Sequence, residues 1–173
     1  MGKTDSSAFL QRFAGRSMET TQKTSKITYT IQNANWRDLN ALRQLEQICF
    51  PKDGWPLLDL IGVLTYPNVV RLKAVIENKM VGFIAGDRRE GGFLGWIATI
   101  GVLPDYRRQG IATALILECE KRLNTAVIRL NVRRSNLEAI SLYKQLGYVQ
   151  ISTWPGYYAD GEEALILEKQ NHL

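Results

Sequence analysis

Val102-Leu103-Pro104-Asp105-Tyr106-Arg107-Arg108-Gln109-Gly110-Ile111-Ala112 runs from the end of an apolar strand, through a short turn, into the start of a helix. The first turn of a helix leaves backbone N–H groups unpaired, and the helix dipole adds partial positive charge beside them. An anionic phosphate fits such a place. Gly110 and the small Ala112 let a ligand approach the backbone, and Arg107 and Arg108 add positive charge nearby. The segment is not a Walker-type loop, because no Gly-Lys-Ser/Thr follows, and it lacks the three-glycine spacing of a dinucleotide fingerprint. Taken alone, it also reads as a purely structural helix start.

The elements around it set the fold class. Ile27, Tyr29 and Ile31 alternate with Thr28, Thr30 and Gln32, the period-2 signature of a half-buried strand over Ile27 to Gln32. Asn35 reads as an N-cap for a helix carrying Leu39, Leu42, Leu45 and Ile48, which Pro51 ends. Pro56 opens a second helix with Leu57, Leu60, Ile61 and Leu64 on one side, and Pro67 stops it. Three strands follow: one with Val70, Leu72, Ala74 and Ile76 on one face, one over Met80 to Asp87, and a nearly all-apolar one over Phe93 to Val102. Asn78-Lys79 and Gly91-Gly92 read as the turns between them.

Downstream, Gly110 to Leu123 is an amphipathic helix with Ile111, Leu115, Cys119 and Leu123 on an i, i+4 row. Val127 to Val132 reads as a strand, Leu137 to Leu146 as a helix, and Gly147 as its C′ residue. Val149 to Thr153 and Glu163 to Glu168 finish as strands joined by the loop Trp154 to Gly161. The order β-α-α-β-β-β-α-β-α-β-β implies a single α/β (α+β mixed) domain over residues 27–170, a mixed sheet with helices on both faces.

Composition narrows the function classes. A chain of 173 residues, 45% hydrophobic, suits one globular domain. The net charge of +5 does not mark a nucleic-acid module. Residues 1–26 hold Lys3, Arg12, Arg16, Lys23 and Lys26 against Asp5 and Glu19, leaving a surplus of only two positive charges on the rest, where a binding face would need them. Those 26 residues, rich in Ser, Thr, Gln and Lys, read as a flexible extension, with Met18 as an alternative start. No apolar run is long enough to span a bilayer and no signal-peptide core is present, so a cytoplasmic location without membrane attachment is expected. Cys49 and Cys119 read as buried reduced thiols, and His172 is the sole histidine, which argues against a zinc site or a histidine triad.

A second constellation sharpens the first. In Asn136-Leu137-Glu138-Ala139-Ile140-Ser141-Leu142-Tyr143, Asn136 and Tyr143 stand seven residues apart, close to two helical turns, so both project from one face, which Ala139 keeps low. The bland alternative is an N-cap asparagine and a packing tyrosine.

Together, Arg107-x-x-Gly110-x-Ala112 and Asn136-x-x-Ala139-x-x-Leu142-Tyr143, followed by Leu146-Gly147-Tyr148, resemble the two signatures of the GNAT acetyltransferases. The likeness spans residues 27–169 in element order and is strongest over 99–169. Leu130 to Tyr143 and the loop Tyr157-Tyr158-Ala159-Asp160-Gly161-Glu162 look most similar to the ribosomal-protein alanine N-acetyltransferases and related protein N-terminal acetyltransferases. The resemblance implies a twisted, mostly antiparallel sheet of about seven strands. It also implies acetyl-CoA as cosubstrate, no metal, a monomer or homodimer, and a primary amine acceptor, foremost a protein N-terminus. A small-molecule amine acceptor, or a silent acyl-CoA-binding module, remains the alternative.

By the same resemblance, the backbone of Ile100, Gly101 and Val102 would bind the pantetheine arm, with Ile100 polarising the thioester carbonyl. Arg107, Arg108, Gln109, Gly110, Ile111 and Ala112 would hold the pyrophosphate, Asn136 would touch the pantetheine side, and Tyr143 would protonate the leaving thiolate. A phenol near pKa 10 is a weak acid toward a thiolate near 8.5, but a prealigned one. Phe50, Trp55, Tyr157 and Tyr158 would wall the acceptor groove, unless they simply pack the lower core.

One position departs from the pattern. The alanine acetyltransferases carry Leu-Glu-Val-Arg where this chain reads Leu130-Asn131-Val132-Arg133, and an asparagine cannot accept the ammonium proton. Glu46, Asp53 and Asp160 are the remaining candidates, acting through water, and the sequence does not rank them. An α-amine near pKa 7.7–8.0 is roughly a tenth to a fifth neutral at pH 7, whereas a lysine near 10.4 is neutral in well under a thousandth of molecules. A missing strong base therefore favours an N-terminal amine.

Overall fold

The computed structural model describes residues 28–171. The expected extension, Ile27 and His172 lie outside the described residues. Within them, β1 (Thr30–Asn33), β2 (Val69–Ile76), β3 (Lys79–Arg89) and β4 (Leu94–Val102) pair as antiparallel neighbours, with α1 (Leu39–Cys49) and α2 (Leu57–Thr65) inserted after β1. α3 (Ile111–Leu123) then carries the chain to β5 (Val127–Arg133), which pairs parallel with β4. α4 (Leu137–Gln145), β6 (Val149–Trp154) and β7 (Ala164–Gln170) complete a seven-stranded sheet of order β1-β2-β3-β4-β5-β7-β6. Its single parallel junction follows from the helical crossover that a parallel pair requires.

Alternation along the strands sorts the helices to the two faces. On one face Leu115, Ile116, Cys119 and Leu123 of α3 are fully buried against Leu72, Ile84, Ile97 and Ile128. Each such side chain contributes about 1.5–3 kcal/mol by leaving water, so the row clamps α3 and fixes where its first turn stands. On the other face Leu42 and Leu45 of α1 and Leu60 and Val63 of α2 meet Phe83 and Ala85 of β3.

Two local readings differ in detail. The β2–β3 turn is Glu77-Asn78, not Asn78-Lys79: both residues have positive φ (46° and 65°), and Ile76 pairs with Lys79. A two-residue hairpin needs left-handed backbone at both central positions to match the strand twist, and that pulls Lys79 into β3. Asn35 caps a short 3₁₀ turn, Trp36–Asp38, ahead of α1, its side chain accepting from the Arg37 N–H at 3.0 Å. Gly147 does close α4: its φ is 91°, and Tyr148 N–H reaches Tyr143 O at 3.0 Å while Gly147 N–H reaches Lys144 O at 3.1 Å.

The feature that opens the sheet is a bulge in β4. Ile97 pairs with Gly86 and Thr99 with Ala85, so Ala98 is an extra residue. A bulge bends its strand and increases its twist. β4 leaves β5 at that point: pairing stops at Ile97–Leu130, although β4 continues to Val102 and β5 to Arg133.

Candidate active site

A cleft of about 540 Å³ opens where β4 and β5 separate, bounded by the end of β4, the start of α3 and one side of α4. Of the residues read from the sequence, Ile100, Gly101 and Val102 line it from β4, and Arg107, Arg108, Gly110, Ile111 and Ala112 from the turn and helix start. Asn136 and Tyr143 line it from α4, and Phe50 from the segment after α1. Gln109 does not line it: its Nε2 turns back to Asp105 O at 3.4 Å, and its Oε1 is buried without a partner.

The helix start is open. The first α-helical bond of α3 runs from Ala114 N–H to Gly110 O at 3.0 Å, and the amides of Arg108 to Thr113 have no backbone acceptor among the described residues. Gly110 has φ 78° and Arg108 φ 62°, so two left-handed residues curl the loop around those amides. Nothing lies within 4 Å of where a Gly110 β-carbon would stand. Free amides at a positive helix end, in open space, fit a diphosphate. Arg107 is partly committed elsewhere, its Nε donating to Val102 O at 3.0 Å and so tying the turn to the strand end.

Gly101 is small for a packing reason. A β-carbon there would stand 3.0 Å from Leu45 Cδ2 and 3.2 Å from Phe50 Cε2, so α1 lies directly on β4 beside the cleft. Asn136 caps α4, its Oδ1 accepting from Ala139 N–H at 3.2 Å, while it also faces the cleft. Tyr143 packs edge-on to Tyr148 at 5.8 Å, and its hydroxyl bonds no other described residue. Burial first, and then the neighbouring Tyr158, push the Tyr143 phenol up, so it keeps its proton at neutral pH. Cys49, expected buried, is only half-buried and lines the cleft, because α1 ends at the gap; burial pushes its thiol up. Cys119 is buried as expected, its thiol raised to about 12.

The opposite mouth of the gap is assembled from distant segments. Arg133, at the end of β5, grips Asp53 through two bonds of 2.6 and 2.7 Å and Asp160 through two of 3.1 Å. It also bonds Glu162 at 2.5 Å and lies 3.9 Å from the centre of the Tyr158 ring. Arg133 lowers the Asp160 carboxyl, and the Ser135 amide and then Arg133 lower Glu162. Asn131 Nδ2 donates to Tyr158 Oη at 3.4 Å, which puts that half-buried phenol beside the gap. Tyr157 stays exposed, edge-on to Tyr158 and tilted against Trp154, whereas Trp55 is half-buried against the core layer of α1 and α2 and does not line the cleft. Sequence reasoning missed Arg133 as the hub. Its partners lie 80, 27 and 29 residues away, and no local pattern announces such a pairing.

Comparison with known proteins agrees with this architecture. Residues 38–148 match the acetyltransferase (GNAT) family. The chain is 31% identical, over 88% of its length and 99% of the relative's, to an N-alpha-acetyltransferase of Saccharolobus solfataricus. It is 29% identical, over 82% of its length and 80% of the relative's, to NAA10 of Arabidopsis thaliana, a catalytic subunit of the N-terminal acetyltransferase A complex. Among solved structures, the ribosomal-protein-S18-alanine N-acetyltransferase of Escherichia coli superposes with a TM-score of 0.76 at 27% identity, covering 84% of this chain and 96% of that one. The family match over residues 38–148 and the 31% identity to the Saccharolobus solfataricus protein show that the chain belongs to the acetyltransferase (GNAT) family.

Proposed function

We propose that the protein transfers the acetyl group of acetyl-CoA directly to the α-amine of a protein or peptide N-terminus. The observation that carries this reading is the gap between β4 and β5, with the free amides of α3 and the Tyr143 phenol on one side and the acidic, aromatic rim around Arg133 on the other. The amides of Arg108 to Thr113 and the Arg108 side chain would hold the diphosphate, and the unpaired β4 edge at Ile100 to Val102 would bond the pantetheine arm. The Tyr143 phenol, protonated at neutral pH and bonded to no described residue, would give its proton to the departing sulfur.

The rim supports an amine acceptor. Asp53, Asp160 and Glu162 outnumber Arg133 and Lys52, whose Nζ lies 3.8 Å from Asp160, so the approach is net negative and draws an ammonium group. Phe50, Tyr157 and Tyr158 offer flat surfaces for the first residues of an extended chain. Cys49 supports direct transfer, because a thiol raised by burial is a poor covalent relay. The names of the relatives, N-alpha-acetyltransferase and NAA10, favour a protein N-terminus over a small amine.

Thiol release from acetyl-CoA, measured over peptides with either a free α-amine or only a lysine ε-amine, tests the reading. Turnover of α-amine peptides is expected to exceed that of lysine-only peptides at pH 7. A preference for ε-amines or for polyamines would overturn it.

A further inference from the structure

Glu46 is one of the three carboxylates that the sequence left unranked as candidates for the base. It is 2% exposed, and its Oε2 is buried with no hydrogen-bond partner. Its Oε1 accepts from Thr99 Oγ1 at 3.3 Å, and the Trp55 backbone also bonds it. A carboxylate buried without a cation is costly, so packing alone does not account for it.

Its place is informative. Thr99 is the first β4 residue past the bulge, directly before Ile100, and it turns to the α1 face as Gly101 does. Asn131, the first β5 residue past the last β4–β5 pair, turns its side chain to Tyr158. One turn beyond Glu46 in α1, Cys49 and Phe50 already line the cleft. The competing carboxylates Asp53 and Asp160 are both taken up by Arg133. Among the described residues Glu46 has no ion-pair partner within salt-bridge distance. The groups facing it are Thr99 from β4, the Trp55 backbone from the α1–α2 loop, and Cys49 of its own helix with Arg107 bonded behind it. The buried side chains that β3 and α2 bring to this layer, such as Phe83, Ala85, Leu60 and Val63, are apolar.

We propose that Glu46, acting through the Thr99 hydroxyl, accepts the proton that the acceptor ammonium must lose, in place of the carboxylate missing at Asn131. This rests on the acetyl-transfer reading above. An ammonium proton passes to Thr99 Oγ1 as the Thr99 hydroxyl proton passes to Glu46 Oε1. The freed nitrogen pair forms the C–N bond to the acetyl carbon, and the C–S bond breaks with its pair on sulfur, which takes the Tyr143 proton. A second proton leaves nitrogen as the amide forms and returns to the Tyr143 phenolate, restoring the phenol, and Glu46 gives its own proton to water. Burial raises the Glu46 carboxyl, against the Trp55 and Thr99 hydrogen bonds, which brings its proton affinity closer to that of an amine.

The test is the pH profile of kcat/KM with an α-amine peptide for the wild type, Glu46→Gln, Thr99→Val and Thr99→Ser. Without the relay, only amine that is already neutral reacts, so the acid limb of Glu46→Gln and Thr99→Val moves up to the amine's own value, about 7.7–8.0. Their loss is about tenfold at pH 7 and about a hundredfold at pH 6, and shrinks to within about threefold at pH 9. Thr99→Ser keeps the wild-type limb. Glu46→Gln melts no lower than the wild type at neutral pH, because it removes a buried charge. A wild-type limb in Glu46→Gln, or a loss equal at every pH, would overturn the relay while wild-type turnover left the acetyl-transfer reading standing. If the wild type turns over no peptide, both fall. Should Glu46→Gln fail to fold, Thr99→Val decides: a wild-type limb there sinks the relay.

Discussion

The two sides of the β4–β5 gap are built by different means. The side toward α3 and α4 is made of backbone: amides at a helix start that Gly110 leaves open, and a bulged strand edge. The side toward α1 and the β6–β7 loop is made of long side chains from four segments, drawn together by Arg133 and Glu46. Backbone sites are local in sequence and indifferent to most side-chain exchange. Side-chain sites are assembled at long range and change with single residues. A common acetyl donor and a variable acceptor fit that division.

Single substitutions can break or sharpen the contrast. Tyr143→Phe is expected to lower turnover about a hundredfold while acetyl-CoA affinity, read by calorimetry, changes less than about threefold. An equal loss in both would make Tyr143 part of the binding wall. Arg133→Met should act on the acceptor side alone. It leaves Asp53, Asp160 and Glu162 facing one another, so the acceptor KM is expected to rise about tenfold and the urea midpoint to fall, with acetyl-CoA affinity unchanged.

Gly110→Ala probes the backbone side. At φ 78° a β-carbon costs about 1–2 kcal/mol, so acetyl-CoA affinity should fall about fivefold or more while the acceptor KM stays put. Acid gives the smallest effect. Asp160 and Glu162 are held below ordinary carboxylate values, so their contribution is present above those values and is lost as pH falls through the lowered ones. Tyr158 fluorescence or loop proteolysis should therefore report loosening of the acceptor rim only in strongly acidic solution, ahead of global unfolding.

The same division explains what could be read in advance. Element order, the buried row of α3, the Schellman close at Gly147 and the exposed amides before Ala114 follow from local periodicity and caps, and all were legible. The shift of the hairpin to Glu77-Asn78 was a one-residue matter of turn twist. The bulge at Ala98 was not legible, because an extra residue in an apolar strand leaves the hydrophobic pattern nearly unchanged. Trp55, expected in the acceptor groove, is half-buried against the core layer of α1 and α2 and does not line the cleft, since an aromatic beside a turn suits either place.

The amino-acid sequence by itself determined the order of strands and helices, the buried row of α3 and the anion-binding start of that helix, because each depends on residues within a few turns of one another. Tertiary structure alone decided which carboxylates are bound by Arg133 and which one is left without a cation beside Thr99. The reason is physical: a charge's partner is fixed by distances of a few ångströms in space, and Arg133 and Asp53 reach 2.6 Å from positions 80 residues apart.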